Sequence, residues 1–289
     1  MLLLIISAQL KNFLIVEDDE LATPSVGPWA KTKYQIIYDY MVLFSSGMKK
    51  HWANRIYIDI YAGAGKAKIE KTNEILYSSP MLALKVDDPF DKYIFCEKDK
   101  KLYQALEQRI KNEHFEESHV IFNGDCNEIA DTILKEIPQH SRKNNVLSFC
   151  FVDPFSLKIE FETIKKLSTK FMDFLVLLAF GMDGKRNITH YVKDNNKRID
   201  KFLGLEDWRS RWEIANKKHI NLVEFLAKEF TQQMVNLGYL EEAIDNFIAI
   251  HSDERNLPLY YLAFYSRNKI GYDFWNKVKM RNTDPTLFD

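Results

Sequence analysis

Five short apolar runs, separated by stretches of helical periodicity, constrain the fold of this 289-residue chain more than any other feature. They lie at 55–61, 93–97, 119–122, 146–152 and 173–180, and most are rich in β-branched and aromatic residues. Each is four to eight residues long and apolar on both faces. A strand needs that pattern when helices cover both sides of its sheet, whereas a strand with one wet face alternates apolar and polar residues. Helix-like stretches at 79–86, 99–112, 127–137 and 160–169 fall between the runs. Strands alternating with helices predict an α/β chain: a Rossmann-like, mostly parallel sheet with helices on both faces.

Two later runs, 243–250 and 258–266, extend the expected sheet at one edge to seven strands, after a helical insertion covering about 190–237. Upstream, 29–48 reads as an amphipathic helix beside the first strand. With no internal repeat, low-complexity tract or Gly/Ser-rich linker, the chain divides into an N-terminal extension (1–28) and a single α/β domain (29–289). Met1 to Ile6 is apolar, but the first basic residue is Lys11 and no small-residue cleavage site follows. The segment therefore reads as a strand or short helix ahead of the acidic Glu17, Asp18, Asp19 and Glu20, not as a signal peptide. No apolar run approaches the roughly 18 residues of a membrane span.

Forty Lys and Arg against forty-one Asp and Glu leave a formal charge of −1, so any contact with nucleic acid must come from a local patch. The three cysteines, Cys96, Cys126 and Cys150, are far apart and form neither a metal-ligand pair nor a disulfide framework; a reducing cytoplasm fits them best. No ligand cluster for a metal is evident, and His51, His190 and His251 read as surface or cap residues.

Of only ten glycines, two sit in Asp59-Ile60-Tyr61-Ala62-Gly63-Ala64-Gly65, directly after the first strand. Glycines there let the backbone turn sharply and pass close to a ligand at the carboxyl edge of a sheet. Lys68 stands at the third position of the dinucleotide fingerprint, which disfavours a nicotinamide cofactor. Gly65-Lys66 is followed by Ala67 and lacks an upstream glycine, which disfavours a phosphate-cradling loop. Acids end the other strands. Glu97 ends the second, where a carboxylate can accept bonds from both hydroxyls of an adenosine ribose. Asp125 follows the third, where it can accept from an adenine amino group, and Asp153 ends the fourth beside the same crevice. Each alone also reads as a turn or helix cap; four acidic strand ends in one crevice point to a ligand.

The order and spacing of these residues resemble a class I S-adenosylmethionine-dependent methyltransferase. More narrowly, Val26-Gly27-Pro28-Trp29, Gly47-Met48-Lys49, Tyr57-Ile58-Asp59, Ala62-Gly63, Asp153-Pro154-Phe155, Lys185-Arg186-Asn187 and Phe274-Trp275-Asn276-Lys277 resemble the three-Cys-motif partner protein family (TcmP), from about residue 20 to the end. The resemblance implies S-adenosyl-L-methionine as cofactor. Asp59, Gly63 and Gly65 would wrap its methionine end, with Tyr61 and Ala62 in the same loop. Glu97, followed by Lys98, would hold the ribose, Asp125 with Cys126 would border the adenine, and Asp153 would close the site. It also implies a partner, the iron–sulphur protein for which the family is named. Ala64 departs from the expected proline and Ser156 from the expected glycine.

Asp153-Pro154-Phe155 is similar to the Asp/Asn-Pro-Pro-aromatic motif of amino-methyltransferases, with one proline missing. In that motif the acid or amide and the proline carbonyl accept from an exocyclic amine while the ring stacks on the base. This implies catalytic roles for all three residues on a nucleic-acid base nitrogen. Residues 29–71 hold eight Lys or Arg against three acids, interleaved with Trp29, Tyr34, Trp52 and Tyr61, which suits phosphates and bases. Lys33, on the helix leading to the cofactor edge, and Lys185 with Arg186 after the fifth strand are the substrate-binding candidates. A second basic and aromatic stretch runs from Arg267 to Arg281. The competing reading is a methyltransferase-like module that no longer transfers methyl groups and serves its partner protein in a defence or mobile-element system.

Overall fold

In the computed structural model, which describes residues 14–179, 191–193, 196–242, 246–251 and 258–282, all five runs are parallel strands of one sheet. They are β3 (Asn54–Asp59), β6 (Lys92–Glu97), β7 (His119–Asn123), β8 (Val146–Val152) and β9 (Met172–Leu178). The earlier strands β1 (Ile15–Val16), β2 (Ser25–Val26), β4 (Lys66–Ile69) and β5 (Ile75–Tyr77) form a separate small sheet, ordered β1-β5-β4-β2. The later β10 (Ile248–His251) and β11 (Pro258–Tyr265) complete the large one. Its order is β10-β11-β9-β8-β3-β6-β7, with the pairs of β11 antiparallel. This is a mostly parallel seven-stranded α/β sheet. Every residue of β8 and β9 is buried, which explains why those runs are apolar on both faces.

Topology places the site. From β3 the chain steps outward through β6 to β7, then returns to β8 on the other side of β3 and continues to β9. Successive right-handed crossovers that reverse direction put their helices on opposite faces and open a crevice at the carboxyl ends of β3 and β8. On one face α1 (Ala30–Met48) packs against α2 (Ser79–Ala83) and the C-terminal α9 (Lys269–Asn282). Helix α3 (Lys100–Asn112) links β6 to β7. On the other, α4 (Cys126–Glu136) packs against α5 (Phe161–Leu167), and α5 against α6 (Arg198–Leu203). After α6 come α7 (Trp208–Lys217) and α8 (Leu222–Asn236), with Gly204 at φ +64° ending α6.

Helix starts follow local chemistry. Asp99 caps α3 by accepting from the amides of Lys101 and Leu102, and Asp125 caps α4 by accepting from Asn127. The small sheet was not expected. Its hairpin is short and carries Lys66 and Lys68, and its outer strands come from the N-terminal extension. Arg109, buried on α3, fastens that extension down: its guanidinium donates to both oxygens of Asp19, to the hydroxyl of Thr23 and to the carbonyls of Ala22 and Ala64. Lys66 adds a 2.9 Å ion pair to Asp19. The hydrogen bonds from Arg109, then that from Lys66, hold the Asp19 carboxyl well below its usual range against the effect of burial. Met1 to Ile6 lies outside the described residues. No described helix is long and apolar enough to cross a membrane.

Candidate functional site

The loop after β3 is built around one residue pair. Glu97, at the end of β6, accepts from the Gly63 amide at 2.8 Å and from the Asp99 amide at 2.7 Å. The carboxylate thus ties the carboxyl ends of two neighbouring strands, yet two oxygens have about four acceptor positions, so capacity remains for further donors. Gly63 sits at φ +63°, and a Cβ built on it would meet nothing within 4 Å. Backbone with open space above it can approach a ligand closely. Gly65, at φ +87°, faces the other way: its Cβ would lie 2.9 Å from Met81 Cγ and 3.1 Å from Leu106 Cδ1. Its role is packing beneath the loop, while the Ala64 carbonyl just before it is held by Arg109 at 2.6 Å.

Asp59 is fully buried under this turn. It accepts from the Tyr61 amide at 3.2 Å and faces the Tyr57 hydroxyl at 3.4 Å and the Ser79 hydroxyl. Burial pushes its carboxyl up to about 7 in spite of those donors. The structure therefore places Asp59 as the turn's internal support, closed off from solvent, and not as a group exposed to the crevice. Ala62 is likewise buried.

Beside Glu97 opens a cleft of about 930 Å³. It brings together Tyr61, Glu97, Lys98, Asp125, Cys126 and Phe155 from the sequence candidates. Asp125 accepts from Asn127 at the start of α4 and pairs with the exposed Lys98 at 2.8 Å. Cys126 is buried, which pushes its thiol up to about 12 and keeps it neutral. The Tyr61 hydroxyl rests beside that thiol with no oxygen or nitrogen partner among the described residues.

Asp153 is not on the cleft wall. Its carboxylate pairs with Lys33 Nζ at 2.5 Å, where Lys33 is 5% and Asp153 16% exposed. The Lys33 ammonium also lies 5.2 Å from the Trp29 ring centre and 4.8 Å from that of Tyr34, and Trp29 packs on Tyr260. Burial alone would lower the Lys33 ammonium, but the Asp153 carboxylate raises it above the usual lysine range. Sequence reasoning named both residues for separate roles; nothing local in the chain couples positions 120 apart. After Asp153, Pro154, Ser156 and Leu157 are buried while Phe155 is 76% exposed at the cleft mouth.

The other basic candidates are dispersed. Lys31 pairs with Glu74, Lys49 with Asp88, Arg55 with Asp91 and Lys66 with Asp19, so 29–71 forms no single basic face. Trp52 precedes β3 and packs on His140 and Phe171, at the opposite, amino end of the sheet. The 267–281 stretch is mainly α9, which buries Tyr272 and Trp275 and sends Arg281 to Asp39. Lys185 and Arg186 lie outside the described residues. Cations that sequence reasoning passed over, Lys158, Lys197, Arg198 and Lys201, line the cleft instead.

No family model matches the chain, and no curated protein does. Solved structures do resemble it. The Legionella pneumophila protein LPL1258 is 12% identical, with 86% of this chain and 93% of that one covered and a TM-score of 0.46. TYW2 of P. horikoshii, in complex with MeSAdo, is 11% identical over 87% of this chain and 69% of that one, with a TM-score of 0.39. The N-terminal domain of human METTL16, in complex with SAH, is 11% identical over 89% and 76%, with a TM-score of 0.37.

Proposed function

We propose that the chain is an S-adenosyl-L-methionine-dependent methyltransferase of the class I type, acting on a nucleic-acid base nitrogen. One observation carries this reading: Glu97, at the carboxyl end of β6, lines the cleft and accepts at 2.8 Å from the amide of Gly63, which follows β3 and has open space over it. The residues present fit such a cofactor. Gly63 leaves room for its close approach, the unused acceptor positions of Glu97 suit two ribose hydroxyls, and Asp125, Cys126 and Tyr61 would border the base. Lys98 is 73% exposed, so its pair with Asp125 yields to a competing donor at small cost.

When bound, the cofactor supplies an electrophilic methyl group on sulphur. This chain's part is orientation. Lys33 holds one oxygen of Asp153; the other oxygen and the Pro154 carbonyl would accept from an amine, aiming its lone pair. Phe155, exposed beside them, presents a face for the base.

The same ion pair favours a second reading, because it occupies the carboxylate that an acceptor would need. On that reading the fold keeps its cofactor cleft without turnover and serves a three-Cys-motif iron–sulphur partner. Thermal unfolding with S-adenosylmethionine, S-adenosylhomocysteine and NAD separates these possibilities from any other. At about one hundred times its dissociation constant a ligand adds about 2.7 kcal/mol, which raises the midpoint by several degrees. A shift with the adenosyl pair alone is expected; no shift removes the cofactor from both readings. Asp153→Ala then decides between them: loss of methyl transfer with cofactor affinity retained supports the enzyme.

A further inference from the structure

The mouth of the cleft carries a second feature that cofactor binding does not use. Phe155 is 76% exposed although the residues on either side of it, Pro154 and Ser156, are buried. A single exposed ring is ordinary on a protein surface. This one stands on a cleft wall with four cations, Lys158, Lys197, Arg198 and Lys201. The arrangement follows from α6, which buries Ile199, Phe202 and Leu203 and so turns Arg198 and Lys201, with Lys197 just before it, outward. Lys197 and Lys201 are about 6 Å apart along the helix axis.

These cations are available. Lys158 and Arg198 make no ion pair among the described residues. Lys197 reaches Asp200 only at 3.5 Å, and that carboxylate is already held by two bonds from Arg209, at 3.0 and 3.1 Å. Lys201 pairs with Glu160 at 2.7 Å but is 62% exposed, a pair that a phosphate displaces readily. A flat apolar face flanked by unspent positive charge matches an unstacked base joined to phosphates. In a duplex the base faces are covered, so a ring on an open wall meets a single strand better than a double one.

We infer that Phe155, with Lys158, Lys197, Arg198 and Lys201, forms a docking rail for single-stranded nucleic acid. This deepens the functional reading above by naming how the acceptor reaches the site, but strand binding itself does not depend on methyl transfer.

The test is fluorescence anisotropy with labelled 20-nucleotide mixed-sequence RNA and DNA single strands, and with the matching DNA duplex, from 50 to 200 mM salt. The expected result is single-strand binding with a log–log salt slope near −2.8, since four neutralised phosphates on a single strand each contribute about −0.7. Phe155→Ala should weaken it about tenfold or more with the slope unchanged, the scale of one lost base stack. Arg198→Glu and Lys158→Glu should each weaken it and flatten the slope, with the unfolding midpoint unchanged because both side chains are exposed. Equal binding of duplex and single strand overturns the rail, as does affinity undiminished in these three variants or no binding at 50 mM salt. S-adenosylhomocysteine titration of the same samples keeps the two proposals apart. A protein that binds the nucleoside but no strand refutes the rail alone, and one that binds strands but no nucleoside refutes the methyltransferase reading alone.

Discussion

Replacing Lys33 by methionine keeps an unbranched side chain, one atom shorter, and removes its charge, which tests the ion pair with Asp153. The geometry sets the size of the effect. At 2.5 Å, with Lys33 5% and Asp153 16% exposed, little water stands ready to take over. Breaking a buried pair from one side usually costs 3–5 kcal/mol, because a charge is left uncompensated. Partial exposure of Asp153 lets a water assist and lowers the figure, so we expect Lys33→Met to cost about 2–4 kcal/mol. Loss of the contacts with Trp29 and Tyr34 is part of that cost. Urea unfolding followed by far-UV circular dichroism measures it. The double variant Lys33→Met with Asp153→Asn should recover at least half of the loss, since a neutral pair carries no stranded charge. A cost below about 1 kcal/mol or simple additivity in the double variant refutes the reasoning.

The glycine loop predicts a contrast: Gly63→Val should abolish S-adenosylhomocysteine binding in calorimetry while the fold survives, less about 1–2 kcal/mol for a left-handed φ of +63°. Gly65→Ala should instead lower the unfolding midpoint, because its Cβ meets Met81 at 2.9 Å. If Gly63→Val bound the nucleoside like the parent, the cofactor would lie elsewhere. Glu97→Ala should weaken nucleoside binding by about 1.5–3 kcal/mol, the usual scale for hydrogen bonds to a charged group; an unchanged affinity in the same titration removes Glu97 from the ribose role. Burial pushes Asp59 and Asp173 up to about 7, above their unfolded values. Between about pH 4 and 7 the native state therefore binds more protons than the unfolded one, and these groups make stability fall as pH rises through that window. Asp59→Asn should flatten the slope, and urea midpoints at pH 5, 6, 7 and 8 that decline as steeply as the parent's contradict the assignment.

What was legible in the sequence was whatever burial writes locally. A strand covered on both faces must be apolar throughout, so β3, β6, β8 and β9 showed as runs, as did the half-buried edge strand β7, all with ends correct to within two residues. Asp125 reads as a possible cap from its place ahead of helical periodicity, and it is one; Asp99, which the periodicity takes into the helix, is the cap of α3. The small sheet was illegible because its strands are two to four residues long, and their partners lie up to about sixty residues away. Asp19 looked like one acid in a run of four; only the fold shows that it is the counter-ion of Arg109, 90 residues on. Trp52 was misplaced among the base-stacking candidates although its position was informative. A residue just before a parallel strand lies at the amino edge, and ligands bind at the carboxyl edge.

The site itself is a product of the same reversal of strand order that makes the fold. Stepping from β3 to β6 and β7 gathers the ends that carry Gly63, Glu97 and Asp125, where carboxylates and amides suit the hydroxyls and amine of a nucleoside. Returning to β8 on the other side brings Asp153, Phe155 and, through α5, the cationic wall of α6. Acids and hydrogen-bond donors thus gather on one side of the switch point, a ring and unspent positive charge on the other. A net charge of −1 conceals this division, because ion pairs elsewhere engage five of the eight Lys and Arg that the sequence places in its first basic stretch. The cations left over at one edge of the sheet, and not the composition of the whole chain, determine which acceptor this crevice can attract.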